Sequence, residues 1–356
     1  MKIVNYTCFF HLKSKALLII CYRVDIFKQM SIKTSLEVEK EEIKLSSKVL
    51  NEKRTNLATS NYIKRTWPLY LMLLLPLAFF LIFRYIPMTN IVMVFKDYNM
   101  FKSIWQTDWV GFKWFAKAFA SKDFWDALRN TITLNVLDLV IGFPMPIILA
   151  LLLNEVANKS FKRVTQTVIY LPHFLSWIII SGIAFQLLAP QSGVINIMLT
   201  KIGMERIEFL GRPVLWVGTY IILGVWKEMG WNTIIYLAAI TGINPELYEA
   251  AEIDGAGRFR KMLAVTLPGI RSTIIVLLIM SLGRILGIEF DRPFAMQNSA
   301  VMDVADVIST YVYRVGIRGM QFSLTAAVGL FQSVVCVVFL LTANMLAKKF
   351  GERGIW

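Results

Sequence analysis

Six stretches of this chain, residues 67–83, 127–153, 164–189, 213–240, 272–288 and 322–347, are almost free of charge. Each is long enough, in the range of about 17–25 residues, to cross about 30 Å of hydrocarbon as a helix. Composition agrees. Of 356 residues, 56% are hydrophobic and 17% charged, with a mean hydropathy of +0.57. A soluble domain carries about a quarter charged residues. Alternating ten-residue segments, the mark of an outer-membrane barrel, are absent, so the expected fold is all-α: a polytopic bundle of six transmembrane helices. Three cysteines, Cys8, Cys21 and Cys336, make no disulfide framework, and they form no Cys/His spacing that suggests a metal. Two histidines leave little room for a histidine-based active site.

Six spans put both termini on one side. The segments 53–66, 154–163, 241–271 and 348–356 hold 14 Lys and Arg in 64 residues, against 12 in the 99 residues of 84–126, 190–212 and 289–321. Cations mark the cytoplasmic face, so the termini are read as inside a plasma (cytoplasmic) membrane. The lysine-rich stretch 84–126 narrows the margin. The net charge of +14 then reflects this bias rather than nucleic acid. Residues 1–62 read as a poorly ordered cytoplasmic tail. Within it, 1–29 is either dispensable or precedes the true start, a surface-lying anchor being the alternative. Residues 63–350 read as the transmembrane domain, 241–271 as a cytoplasmic loop and 351–356 as a short tail.

The loop 241–271 has structure of its own. Asn244 suits a helix N-cap and Pro245 the first helical position, where a missing N–H costs nothing. Glu246 and Glu249 sit early, where the helix dipole favours anions. Leu247, Ala250 and Ala251 make an apolar face. Gly255 and Gly257 break the helix, and a second amphipathic stretch begins at Arg258 with three cations and ends before Pro268. On charge and periodicity alone this could be an interfacial hairpin joining two spans.

The spacing says more. Glu249-Ala250-Ala251, three residues, Gly255, nine residues, Val265, one residue and Leu267-Pro268 resembles the EAA loop of permease subunits of binding-protein-dependent ABC importers, with valine where isoleucine is usual. Much of 62–356 is similar to the LplB-type, maltose-permease-like branch of the carbohydrate-uptake permeases. RTWPLYLMLLLPLAFFLIFRYIPM, DFWDALRNTITL, QTVIYLPHFLSW, GVWKEMGWNTIIYLAAI and VADVISTYVYRVGI carry the likeness, and 283–298 matches least well. The resemblance implies a coupling helix docked on a cytoplasmic ABC ATPase dimer, with Glu249, Ala250, Ala251, Asp254, Gly255, Gly257, Arg258, Arg260, Lys261 and Pro268 at the contact. It also implies a second homologous permease, an extracytoplasmic solute-binding protein, and a carbohydrate substrate, an oligosaccharide rather than a simple sugar. Arg258, Arg260 and Lys261 serve equally well as headgroup contacts.

Ionisable groups inside spans are costly and face a cavity or a partner. Asp138 lies in the second run, Lys227 and Glu228 in the fourth, and Arg284 in the fifth. Glu228, Asn232 and Tyr236 form one stripe, which Trp231 flanks. Carboxylate, amide, phenol and indole suit a sugar's hydroxyls and flat face, so Lys227, Glu228, Trp231, Asn232, Tyr236 and Asp138 are the candidate substrate path. The rival reading is a polar cluster that holds the bundle together. Asp138 is expected to balance Arg129, Lys227 or Arg284, and His173 to be an ordinary interfacial histidine. The basic charge is too spread to argue for an acidic sugar.

No GxxxxGK[ST], GxSxG or HExxH occurs, so ATP hydrolysis is expected in a separate subunit and no cofactor is expected. A stand-alone secondary transporter or channel for a polar solute is the alternative, against which the EAA loop counts.

Overall fold

The computed structural model describes residues 66–287, 289–349, 351 and 354. The expectations for the tail 1–62 lie outside the described residues, as does most of 351–356. The chain divides into two units, Met1–Pro87 and Met88–Trp356. In the first, the described residues 66–87 are helical and include a π-turn at Leu81–Tyr85.

In the second unit the main helices are α1 (Lys113–Ala120), α2 (Lys122–Glu155), α3 (Lys159–Phe174), α4 (Trp177–Leu188), α5 (Val194–Lys201), α6 (Pro213–Thr241), α7 (Pro245–Ile253), α8 (Arg258–Gly269), α9 (Arg271–Leu282), α10 (Asp291–Met296), α11 (Ile308–Val312) and α12 (Phe322–Lys349), with a further short turn of helix at Met302–Ala305. Among the described residues the extended structure amounts to one bridge, Lys96 to Trp109. The fold is all-α.

Among the described residues, three helical runs are long and apolar enough to cross a membrane: Thr66–Phe95, α2 and α12. The other three expected spans take different forms. Residues 164–189 are two helices, α3 and α4, bent by 100°. Pro172, lacking an N–H, tightens Leu171–Phe174 into a 3-10 turn, and the Ser176 hydroxyl caps α4 by accepting from the Ile179 N–H at 3.3 Å. Residues 213–240 lie within the 29-residue α6 (Pro213–Thr241), whose centre carries Lys227 and Glu228. The fifth run is helical only to Leu282, and α9 meets α8 at 59°.

Prolines explain three of the four π-turns among the described residues. Leu81–Tyr85, Asp138–Gly142 and Met262–Thr266 each end two residues before a proline, at Pro87, Pro144 and Pro268. A proline ring collides with the carbonyl four residues back. Widening that turn moves the carbonyl aside and lets the helix continue, as Phe143 N–H donating to Asp138 O at 3.0 Å illustrates.

Two apolar clusters hang on α6. Its N-terminal half packs Trp216 and Tyr220 against Leu134, Met296, Val301 and Val307. Its C-terminal half packs Tyr236 and Ile240 against Ala150, Leu151 and Ile270. A third cluster joins Phe124 and Leu128 of α2 to Ile308, Tyr311, Leu324 and Val328. Between helices in lipid these contacts act through close van der Waals packing rather than through transfer from water. Between the two α6 clusters lie the polar residues of the helix centre.

Candidate functional site

A cavity of about 410 Å³ opens at the middle of α6. Glu228, Asn232 and Tyr236 line it from α6, Asn135 and Asp138 from α2, and Trp177 from the start of α4. Arg284, Glu289 and Arg292 close it from the segment after α9. The stripe read from the sequence therefore faces one cavity. Lys227 and Trp231 do not line it.

Asp138 does not balance Arg129, Lys227 or Arg284. Its partner is Arg292, whose Nη1 and Nη2 stand 2.6 and 3.2 Å from the two carboxylate oxygens. Nη2 also donates to Tyr220 O at 2.6 Å, and the guanidinium lies 3.6 Å from the centre of the Tyr220 ring and 5.1 Å from that of Trp177. The planar fork matches a carboxylate, and the aromatic faces replace water around the charge. A Cβ at position 224 would collide with this guanidinium, so Gly224 makes the room for it. The sequence reading missed Arg292 because it lies outside the apolar runs, in the segment least like the family. The neighbouring Asp138, uncancelled within its own span, was the one available signal. Arg129 instead sits 3.5 Å from Asp126, one helical turn away.

Lys227 donates to His173 O at 2.6 Å and lies 3.6 Å from Glu228 Oε1. Glu228 Oε2 is 3.1 Å from His173 Nδ1, and the imidazole stacks on Trp231 at 4.5 Å and 2°. His173 is therefore tied to the helix that lines the cavity, not an ordinary interfacial residue, and Trp231 spends a face on it. Asn135 donates to Ile285 O. Among the described residues, Arg284 and Asn232 make no side-chain hydrogen bond or ion pair, and both are exposed.

The loop 241–271 folds as helix, turn and helix. The Asn244 side chain accepts from the Glu246 N–H at 3.1 Å, with Pro245 at the first position of α7. At the other end Ala256 N–H donates to Ala251 O at 2.9 Å and Gly255 N–H to Glu252 O at 3.0 Å. These are the two bonds of a Schellman cap, and they need Gly255 at φ +74°. Gly257 has an ordinary extended backbone, φ −67°, and is not what ends the helix. Tyr248 and Thr266 hydroxyls meet at 3.0 Å, and Lys261 pairs with Glu252 at 3.0 Å, so α7 and α8 brace each other. Glu249, Ala250, Asp254, Gly255, Gly257, Arg258, Arg260 and Pro268 are exposed, and Ala251 and Lys261 half-buried. Ile253 and Phe259, which the sequence reading did not single out, stand 87% and 70% exposed beside the turn.

A bundle of apolar helices, a polar cavity midway along one of them, and an exposed helical hairpin define a membrane transport subunit. The comparisons give its kind. The family described as the binding-protein-dependent transport system inner membrane component matches residues 142–352. The chain is 47% identical over 288 residues to the polygalacturonan/rhamnogalacturonan transport system permease protein YteP of Bacillus subtilis, covering 81% of this chain and 90% of that protein. It is 46% identical over 294 residues to Protein LplB of the same organism, covering 83% and 92%. A crystal structure of a bacterial alginate ABC transporter, in complex with an alginate pentasaccharide-bound periplasmic protein, superposes with a TM-score of 0.76 at 43% identity, covering 83% of this chain and 99% of that one. The chain belongs to the binding-protein-dependent transport system inner membrane component family. It is a permease subunit of an ABC importer.

Proposed function

We propose that this subunit passes an oligosaccharide, of the uronate-bearing kind, across the plasma membrane. An extracytoplasmic protein delivers the sugar, and a second permease subunit completes the path. The observation that carries the substrate class is the cavity lining: a carboxylate (Glu228), an amide (Asn232) and a phenol (Tyr236) on one helix face, with an aromatic wall at Trp177. These are acceptors, donors and flat surfaces for a polyol. Arg284, free of partners among the described residues, supplies a cation for a uronate carboxylate, while Glu289 accepts from hydroxyls. The relatives named for polygalacturonan and alginate support the acidic class.

The driving subunit is a separate ATPase. In this reading α7 and α8 form the coupling element, with Glu249, Ala250, Ala251, Asp254, Gly255, Gly257, Arg258, Arg260, Lys261 and Pro268 at or beside the contact. Ile253 and Phe259 are its apolar anchors. A capped helix braced on its neighbour transmits a rigid-body motion of a partner to the spans it joins. Both termini lie on the cytoplasmic side with it, residues 1–62 as a tail.

Uptake of trigalacturonate and of neutral arabinotriose by proteoliposomes holding the whole importer tests the reading. The acidic sugar is expected to be transported in preference, and Arg284→Gln to erase that preference. Equal transport of both by the wild type removes the acidic class. Transport without any ATPase subunit removes the coupling reading.

A further inference from the structure

The 100° break between α3 and α4 needs something to hold it. Pro172 removes one backbone donor and the 3-10 turn leaves carbonyls outside the helical ladder. Three residues of α6 converge on one residue of that break. Lys227 takes the His173 carbonyl at 2.6 Å, Glu228 the His173 ring at 3.1 Å, and Trp231 the ring face at 4.5 Å. The residue just past the break, Trp177, carries Lys227 and Arg292 against its ring, at 5.7 and 5.1 Å, and also lines the cavity.

Among the charged residues, Glu228 belongs to both places. It lines the cavity with its side chain 39% exposed, and it binds the break. The other charges cannot serve. Arg292 is occupied by Asp138, the Tyr220 carbonyl and the Tyr220 ring. Lys227 is buried and holds the His173 carbonyl. Arg284 and Glu289 reach the cavity but make no hydrogen bond or ion pair with residues 171–177 among the described residues.

We propose that Glu228 is the residue through which the cavity's contents act on the α3–α4 break, and that His173 is its positioning residue. A hydroxyl of a bound polyol donates to Glu228 in place of the imidazole. The ring is then released from Glu228 and keeps only its stacking on Trp231, and Lys227 is the one remaining hydrogen bond from α6 to His173. The differential contact of the ligand with the two arrangements is the exchange of one acceptor between two donors, which is what a ligand needs in order to shift a conformational equilibrium. This inference rests on the carbohydrate reading above.

The test uses the whole importer in nanodiscs, with its binding protein loaded with trigalacturonate or empty, and compares stimulated with basal ATP hydrolysis. His173→Phe keeps a stacking ring and loses the bond to Glu228. It is expected to raise basal hydrolysis and to lower the stimulated-to-basal ratio about fivefold, the lower end of couplings between sites. His173→Gln can still donate to the carboxylate and is expected to recover most of the ratio. An unchanged ratio in His173→Phe overturns the proposal. So does a parallel fall of both rates that His173→Gln does not rescue, which is what a purely structural histidine gives. Wild type that responds to trigalacturonate while His173→Phe is indistinguishable from it sinks this inference only. Wild type that responds to no loaded binding protein sinks the carbohydrate reading and this inference with it.

Discussion

Arg292 reaches back 154 positions along the chain to clasp both carboxylate oxygens of Asp138, at 2.6 and 3.2 Å. The pair is only partly exposed, 12% and 29% by side chain, and joins the segment after α9 to the middle of α2. Removing one partner leaves the other charge unpaired and largely buried, a loss of up to about 3–5 kcal/mol. Arg292→Met is therefore expected to lower the melting temperature of the detergent-solubilised subunit sharply. The double variant with Asp138→Asn is expected to recover most of the loss. Equal melting of the single and double variants would mean that the charges do not depend on each other.

The same guanidinium sets the size of residue 224. A methyl group there meets it in direct collision. Gly224→Ala is expected to cost about 1–3 kcal/mol, as overpacking does. In the Arg292→Met background most of that cost should vanish, and a double-mutant cycle read by thermal denaturation gives the coupling. Additive effects would place the strain elsewhere.

Gly255 caps α7 with a left-handed backbone and open space around its missing side chain. Gly255→Ala meets no clash and carries only the conformational cost, about 1–2 kcal/mol. That cost is local. Amide exchange at 250–256 is expected to quicken about five- to thirtyfold with the global melt unchanged. Gly255→Asn, which tolerates this conformation better, should show a smaller rise.

Ile253 and Phe259 support little of this chain's own packing, so Ile253→Ser and Phe259→Ser should alter its stability by less than about 0.5 kcal/mol. Each is expected to weaken capture of the ATPase subunit by the purified permease at least about tenfold, as loss of an apolar anchor does. Weaker capture with a lower melt in step would make them folding residues instead.

What could be read from the sequence followed the kind of physics involved. Long apolar runs report themselves because every residue contributes, and α2, α6 and α12 came through as continuous helices. The loop was legible because Asn244, Pro245 and Gly255 act within a few residues of their own position. The stripe Glu228–Asn232–Tyr236 followed from helical period alone. Partners across the chain did not. Nothing in the residues around Asp138 names Arg292, since their meeting depends on where the segment beyond α9 turns back. His173 was misjudged for the same reason: its role comes from a break at Pro172 that a hydropathy count passes over. The fifth run overshot because Gly283–Gly287 is apolar enough to look helical yet folds as turns.

The π-turn at Asp138–Gly142 holds one residue more than an α-helical turn, so everything from Pro144 to Glu155 is offset by about 100° from where an unbroken helix would put it. The two halves of α2 are thus phased independently, one toward Arg292 and one toward α6. Deleting any one of residues 139–141 would leave the composition and the hydropathy trace nearly intact, yet it would rotate Ala150 and Leu151 out of their cluster. In an alignment such a change is a one-position gap in a greasy helix; in the folded chain it is a twist of the whole C-terminal half of α2.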